Sequence, residues 1–259
     1  MGFVHLHNRS QYSILDGAMR PGELVNRVTE LEMGAVALTD TCNLYGAVEF
    51  YKAAKGAGVH PVFGSELWLW PEGIDKFDDR TPDGGWNLVF LIESPEGYKN
   101  LCALVTNAIF DGMHFRPRTD LAQLRTHKEG LIVLTGGIHG PLGLSCRGDM
   151  ELARERVNSL LDIVGPENLL LELQDVGIAG QAEANERARL LSSELSVPTV
   201  VTNDCRYVHN FDAVTLDLLN SIARGETLDN PGRVGLPTDQ QYIKTEAEMR
   251  TLFPDDGEA

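Results

Sequence analysis

Short apolar runs alternate along the chain with longer segments whose apolar residues recur every three or four positions. The short runs predict strands, and the nearly continuous apolar character of LIVLTG, LLLEL and PTVVTND predicts strands buried on both faces. The predicted strands are Phe3–His7, Ala35–Thr39, Pro61–Leu69, Asn87–Ile92, Leu131–Thr135, Leu169–Leu173 and Thr199–Asn203.

Six helices are predicted between these strands, and several begin at a proline, which suits the first turn of a helix. They are Pro21–Met33, Tyr45–Lys55, Pro95–Ile109, Met150–Val164, Gly180–Leu195 and Phe211–Arg224. Alternating strands and helices are typical of βα units around a parallel sheet. The pattern therefore predicts an α/β fold, and periodicity alone distinguishes a closed barrel from an open sheet only weakly.

Two stretches interrupt this alternation. Pro71–Gly85 is rich in glycine, proline and acidic residues, which predicts an exposed loop. From Gly225 the pattern changes to one that predicts an extended arm and a short closing helix. We therefore expect a barrel domain at residues 1–224 and a C-terminal arm at 225–259, leading towards a further region that this sequence does not include.

Composition and charge narrow the function classes. The 22 basic and 38 acidic residues give a net charge of −16, which disfavours autonomous nucleic-acid binding. No apolar run approaches the roughly 18 residues that a membrane span needs. The four cysteines form no C-x-x-C pair, as expected of reduced thiols in a cytoplasmic protein: Cys42, Cys102, Cys146 and Cys205.

Polar residues cluster near the predicted strand ends, where βα barrels carry their chemistry. His5 and His7 would share one face of the first strand. Converging acids and imidazoles could bind divalent ions and activate water for phosphate ester hydrolysis, although each acid considered alone is more often a helix cap. The set is His5, His7, Asp40, Glu66, Asn87, Gly137, Glu172 and Asp204.

A family resemblance rests on these same stretches. The segments FVHLHNRSQYSILDGAMRPGELV, AVALTDTCNLYGAVEFYKAAKGAGVHPVFGSEL, NLVFLIESPEGYKNL, LIVLTGG, LLLELQDVG, PTVVTND and QQYIKTEAEMRTLF resemble the polymerase and histidinol phosphatase (PHP) domain that opens the α subunit of bacterial DNA polymerase III. The resemblance runs from about Phe3 to Phe253. It implies a distorted (β/α)7 TIM-like barrel with an extended C-terminal arm, a site for up to three metal ions, and a parent chain that is a DNA-directed DNA polymerase, a nucleotidyltransferase of DNA replication.

The resemblance also shows where this sequence departs from the family's metal-binding pattern. Of nine ligand positions, His7, Asp16, Glu66 and Asp204 are retained, and Asp40 of the neighbouring TDH motif is retained too. The five changed positions hold Arg9, Thr41, Asn87, Gly137 and Arg206.

Arginine is always protonated and offers no lone pair, so Arg9 and Arg206 cannot be ligands and would repel a divalent ion. We therefore expect a degenerate metal site with no catalytic residue and no cofactor. If any zinc, manganese or magnesium ion binds, the residues left to hold it are His7, Asp16, Glu66 and Asp204.

Three functions compete at this point. The first is a non-catalytic platform within the polymerase chain that docks a separate proofreading exonuclease subunit. The second is an active metal-dependent phosphoesterase or 3′–5′ exonuclease of the PHP family, which the ligand losses oppose. The third is an unrelated barrel enzyme, but GxGxxG, GxSxG and GKS/T motifs are absent from the sequence.

The retained carboxylates need a counter-charge if they converge in a barrel, because buried unpaired acids are costly. Arg9 and Arg206 fall at former ligand positions beside the first and last strands. We predict that at least one of them lies within about 4 Å of Asp16, Glu66 or Asp204.

Overall fold

The structure, a computed structural model, describes residues 2–70, 85–146 and 148–257, and it divides into two compact units. The first takes in the chain up to Phe63, Asp175–Ile178 and the residues from Thr202 onward. The second takes in Gly64–Gln174 and Ala179–Val201. The division stays within an α/β fold, because each unit carries helices beside strands.

In the first unit, a parallel pair of strands lies against helices. Strand β1 pairs with the start of β2 in the register Ala35 to His60 through Leu38 to Phe63. Helix α1 begins at Pro21 and buries Leu24, Val25 and Val28 in an apolar core. The elements are α1 (Pro21–Glu30), β1 (Ala35–Leu38), α2 (Ala47–Ala57), the first residues of β2 (His60–Trp70), α7 (Ala213–Arg224) and α8 (Glu246–Leu252).

The predicted first strand, Phe3–His7, is wrong as a strand assignment, although the segment is hydrogen-bonded on both sides. Ala37 N donates to His5 O at 2.9 Å, and Cys205 N donates to His7 O at 3.0 Å. The Asn8 amide adds side-chain hydrogen bonds to this contact, donating to His5 O and Ala37 O, each at 2.9 Å. What remains is one parallel bridge between Asn8 and Cys205.

The second unit is a sheet with both parallel and antiparallel neighbours. Strand β2 continues into it and pairs in parallel with β4, and β5 pairs in parallel with β6. Its other elements are β3 (Trp86–Ile92), α3 (Pro95–Phe110), β4 (Arg118–Asp120), α4 (Leu121–Thr126), β5 (Leu131–Leu134), α5 (Met150–Val164), β6 (Leu169–Gln174), α6 (Gln181–Leu195) and β7 (Thr199–Thr202), whose last residue belongs to the first unit.

The prediction of an all-parallel sheet is wrong, because strand β3 runs antiparallel to both β2 and β5. Parallel neighbours need a crossover connection, usually a helix, whereas antiparallel neighbours do not. The sequence predicts a loop rather than a helix between these strands, and that is the signal of the reversal. Most of that predicted loop, Pro71–Gly85, lies outside the described residues.

The residues after Gly225 pack within the first unit. Tyr242 forms a parallel bridge with Tyr207, and Phe3 N donates to Glu246 Oε2 at 3.1 Å. The closing helix α8 is capped by Thr245, whose hydroxyl accepts a hydrogen bond from Glu248 N. The expected division at residues 224 and 225, and the closed seven-unit barrel, stay predictions. Among the described residues, no helix is both long and apolar enough to cross a membrane.

Candidate functional site

A tight turn after the segment Phe3–His7 positions Asp16 in the first unit. Ser13 N donates to Ser10 O at 2.9 Å, and Asp16 N donates to Ser13 O at 2.7 Å. Gly17 closes the turn, and a Cβ at this position would lie 2.1 Å from Ser10 O. The turn can therefore form only with glycine directly after Asp16.

Asp40 fixes the start of this turn. The alternative interpretation, in which Asp40 caps a helix, is wrong. Its Oδ1 accepts from Ser10 N at 2.7 Å and from Ser13 Oγ at 2.7 Å, and its Oδ2 accepts from Ser10 Oγ at 2.8 Å. Burial raises the pKa of Asp40, and the serine hydrogen bonds oppose that rise. Thr41 donates its backbone N–H to Ser13 Oγ at 3.0 Å, so it belongs to the same turn.

Two arginines converge on Asp16, one on each carboxylate oxygen. The Arg9 guanidinium donates to Asp16 Oδ2, and the Arg206 guanidinium donates to Asp16 Oδ1. The Arg9 side chain is only 5% exposed and that of Arg206 is 14% exposed, whereas that of Asp16 is 37% exposed. Asp16 thus bridges two largely buried cations from the opposite ends of the chain, and the predicted contact between an arginine and a retained carboxylate is confirmed.

Asp204 is the second acid of this cluster. Its Oδ2 accepts from Arg206 Nη2 at 2.9 Å, and Arg9 Nε lies 3.4 Å from its Oδ1. Burial opposes ionisation of this carboxyl group, but the guanidinium groups of Arg206 and Arg9 outweigh it and hold the pKa of Asp204 well below its usual range. Its backbone adopts a left-handed φ of 42°, a conformation that aspartate tolerates better than most residues.

The two histidines of the first segment have different surroundings. His7 Nε2 lies 3.6 Å from Asp204 Oδ1, so His7 joins the cluster. His5 Nε2 instead bonds Lys244 O at 2.9 Å, and its side chain has no exposed surface. Burial lowers the pKa of His5 to about 4, so this imidazole is neutral at physiological pH.

In the second unit, Glu66 and Asn87 lie on the antiparallel strands β2 and β3 and contact each other. Asn87 Nδ2 donates to Glu66 Oε1 at 2.8 Å, and both side chains are buried. An amide therefore lies beside this carboxylate at the position where the family resemblance expects a histidine ligand.

Gly137 follows β5 with a left-handed φ of 59°, and the space beside it is filled. A Cβ on Gly137 would lie 2.0 Å from Gln174 Oε1. Gln174 Nε2 donates to Glu172 Oε1 at 3.0 Å. Glu172, expected at the end of its strand, thus shares a face with Gln174, and residue 137 has no room for a side chain in this arrangement.

Seven of the ten predicted site positions therefore lie in the first unit, and five of those form its ionic cluster. Asp40 and Thr41 instead brace the turn, while Glu66, Asn87 and Gly137 belong to the second unit. Sequence reasoning missed Gln174, although its spacing of two from Glu172 on one strand was an available signal. It also missed Gln241, whose Nε2 donates to Asp204 Oδ2 at 2.8 Å and which no local pattern identifies.

Comparisons with known proteins agree on one family. The family model described as a PHP domain matches residues 5–176. The chain is similar to the DNA polymerase III subunit alpha of Thermus aquaticus, with 37% identity over 98% of this chain and 21% of that relative. The corresponding subunit of Treponema pallidum is 35% identical over 98% of this chain and 22% of that relative. The chain therefore spans about a fifth of the length of these curated relatives.

A solved structure supports the fold alone. A candidate metal-dependent phosphoesterase from Bifidobacterium adolescentis superposes with a TM-score of 0.54 at 14% identity, covering 78% of this chain and 86% of that one. The α/β architecture described above is thus shared with that protein.

We expect the buried His5 to make stability depend on pH. Its pKa is about 4 in the folded protein, whereas an unperturbed histidine has a pKa of 6.5, so protonation favours the unfolded chain as the pH falls below 6.5. Between pH 7.5 and pH 5 the free energy of unfolding should fall by about 2 kcal/mol through this residue. Urea unfolding at both pH values measures the loss.

The matched comparison is His5→Asn against His60→Asn, since His60 is exposed. The first variant should lose about 2 kcal/mol of this pH dependence, and the second should keep it. An unchanged pH dependence in His5→Asn would show that the buried imidazole has no such role.

Proposed function

The chain belongs to the PHP-domain family, and from this premise we propose that it is a non-catalytic domain of a replicative DNA polymerase. In this proposal it is a structural platform and a docking surface for a proofreading exonuclease subunit. The remainder of the polymerase chain carries the nucleotidyltransferase chemistry of DNA replication in the cytoplasm. The similarity to DNA polymerase III α subunits over 98% of this chain supports the assignment to that polymerase.

The observation that carries the non-catalytic part is the pair of arginines on Asp16. A metal-activated water needs several ligands with free lone pairs held around one ion. Both oxygens of Asp16 accept from guanidinium groups, and Arg9 and Arg206 are themselves at former ligand positions. These residues do not fit a catalytic metal cluster, because a divalent ion there would face two fixed positive charges.

The second unit supports the same proposal independently. Asn87 donates to Glu66 where a histidine ligand is expected, and Gln174 fills the space beside Gly137 where a cysteine is expected. An amide that donates to a carboxylate satisfies one of its oxygens without a metal. Of these two changed positions, Asn87 therefore holds a hydrogen-bond donor, and Gly137 has no space for a metal-binding side chain.

Exposed apolar side chains support the docking part. Four of them lie on α7 and the residues just before it, spaced by three or four positions on one helix face: Phe211, Val214, Leu218 and Ile222. They are between 43% and 74% exposed. A contiguous apolar face of this kind is typical of a surface that another protein covers. That the other protein is the exonuclease subunit rests on the family resemblance.

The second candidate is a metal-dependent phosphoesterase or 3′–5′ exonuclease that uses zinc, manganese or magnesium. His7, Asp16 and Asp204 retain donor atoms in one cluster, and the solved structure with the same fold is described as a candidate metal-dependent phosphoesterase. The arginine contacts oppose this candidate for the reason already given.

A cleavage assay distinguishes the two candidates. We expect the purified chain, incubated with a single-stranded DNA primer and added Mn²⁺ or Zn²⁺, to release no nucleotides above the level of its His7→Ala variant. Any trace activity equal in both proteins would come from contamination. Metal-dependent cleavage that His7→Ala abolishes would establish the phosphoesterase candidate and refute the non-catalytic proposal.

Docking is tested by titrating the chain with the purified proofreading exonuclease subunit of the same organism. We expect saturable binding that Leu218→Ser and Ile222→Ser together weaken at least tenfold, because both substitutions remove apolar surface that the partner would bury. The matched control is Leu144→Ser, an exposed leucine of the second unit. Absence of binding by the unaltered chain would refute docking, and equal binding by the double variant would exclude α7.

A further inference from the structure

The first unit carries its own replacement for metal charge. We propose that the guanidinium groups of Arg9 and Arg206 are the structural counter-charge of this domain. They hold the turn before Gly17 against the segment Asp204–Arg206 and make the fold independent of any metal. The inference deepens the proposed loss of metal binding and rests on it. Its readout is unfolding, not cleavage, so the two can fail separately.

The charges inside the cluster balance one another. Two guanidinium groups face the carboxylates of Asp16 and Asp204 through four ion pairs. Asp204 is 7% exposed and Arg9 is 4% exposed, so water screens this part of the cluster poorly. Buried carboxylates without a partner would be strongly destabilising. The two positive charges lie where the carboxylates require them.

The Arg206 guanidinium binds two carboxylates at once. Arg206 uses Nη1 on Asp16 and both Nε and Nη2 on Asp204 Oδ2, with the last two at 3.2 and 2.9 Å. One planar group thus joins two acids that are 188 positions apart in sequence. A metal ion can also join two carboxylates through one positive charge, whereas a guanidinium joins them with directed N–H donors. A lysine has the charge without this fork.

The ionic cluster also connects two segments that are distant in sequence. Arg9 N donates to Cys205 O and Ala18 N donates to Arg206 O, at 2.8 and 2.7 Å, so the backbone is bonded on both sides of the ionic cluster. The cluster therefore holds together two segments about 190 residues apart, and its contacts help to offset the conformational entropy that closing this loop costs on folding. Loss of the arginines should loosen this closure and not merely a surface contact.

The test reverses the replacement with the double variant Arg9→His/Arg206→His. It keeps His7, Asp16 and Asp204 and adds two imidazoles, which is a donor set that suits zinc. The unaltered chain should have the same melting temperature in EDTA and in Zn²⁺. The double variant should melt about 5–10 °C lower in EDTA and regain much of that loss in Zn²⁺.

The control is Arg154→His/Arg250→His, which alters the ion pairs of Arg154 with Glu151 and Glu194 and of Arg250 with Glu246 and should show no zinc-dependent gain. An unaltered melting temperature of the reversed variant in EDTA would overturn the proposal, and so would a zinc-dependent rise in the unaltered chain.

A second pair of variants covers the case in which the reversed variant does not fold. Arg206→Lys keeps the charge and loses the fork, whereas Arg206→Met keeps the length and loses the charge. We expect the lysine variant to melt between the unaltered chain and the methionine variant. Equal melting temperatures for the two variants would refute counter-charge as the role of Arg206.

Discussion

Asp16 accepts one guanidinium on each of its carboxylate oxygens, and the arrangement of the first unit depends on this contact. The turn that presents Asp16 is fixed by Asp40 and closed by Gly17, and the two arginines come from segments bonded to each other through Arg9 N and Cys205 O. Removing one guanidinium would leave the buried Asp204 partly uncompensated. Single deletions in such a network cost more than exposed pairs, whose contribution is usually small.

In the second unit, two buried acids accept hydrogen bonds from neutral amides. Glu66 receives the neutral amide of Asn87, and Glu172 receives that of Gln174. A neutral donor satisfies a lone pair but adds no positive charge, unlike the guanidinium groups that face Asp204.

Sequence patterns predicted the regular elements well and the irregular ones poorly. Six strands were predicted to within one residue at each end, because their apolar runs are bounded by polar residues. Phe3–His7 has the same apolar character but is not a strand, since isolated backbone hydrogen bonds and the Asn8 amide join it to its neighbours instead of a regular ladder. The short β4 and α4 were missed, because elements of three and six residues carry too little periodicity.

The residues of the candidate site also differ in how far the sequence predicts their contacts. The sequence and the family resemblance predicted that at least one of Arg9 and Arg206 would contact Asp16, Glu66 or Asp204, and both of them contact Asp16. The contributions of Gln174 and Gln241 were not, because their roles depend on packing between distant segments. The glycine at position 137 is informative only once Gln174 is seen to fill its Cβ position.

The most direct test of the central claim is the metal content of the purified chain by inductively coupled plasma mass spectrometry after equilibration with Zn²⁺ and Mn²⁺ and desalting. If the guanidinium pair has replaced metal charge, the protein should carry well under one ion per chain, because the positive charges of Arg9 and Arg206 repel cations from this site. One or more tightly held ions per chain, lost on His7→Ala, would contradict the account.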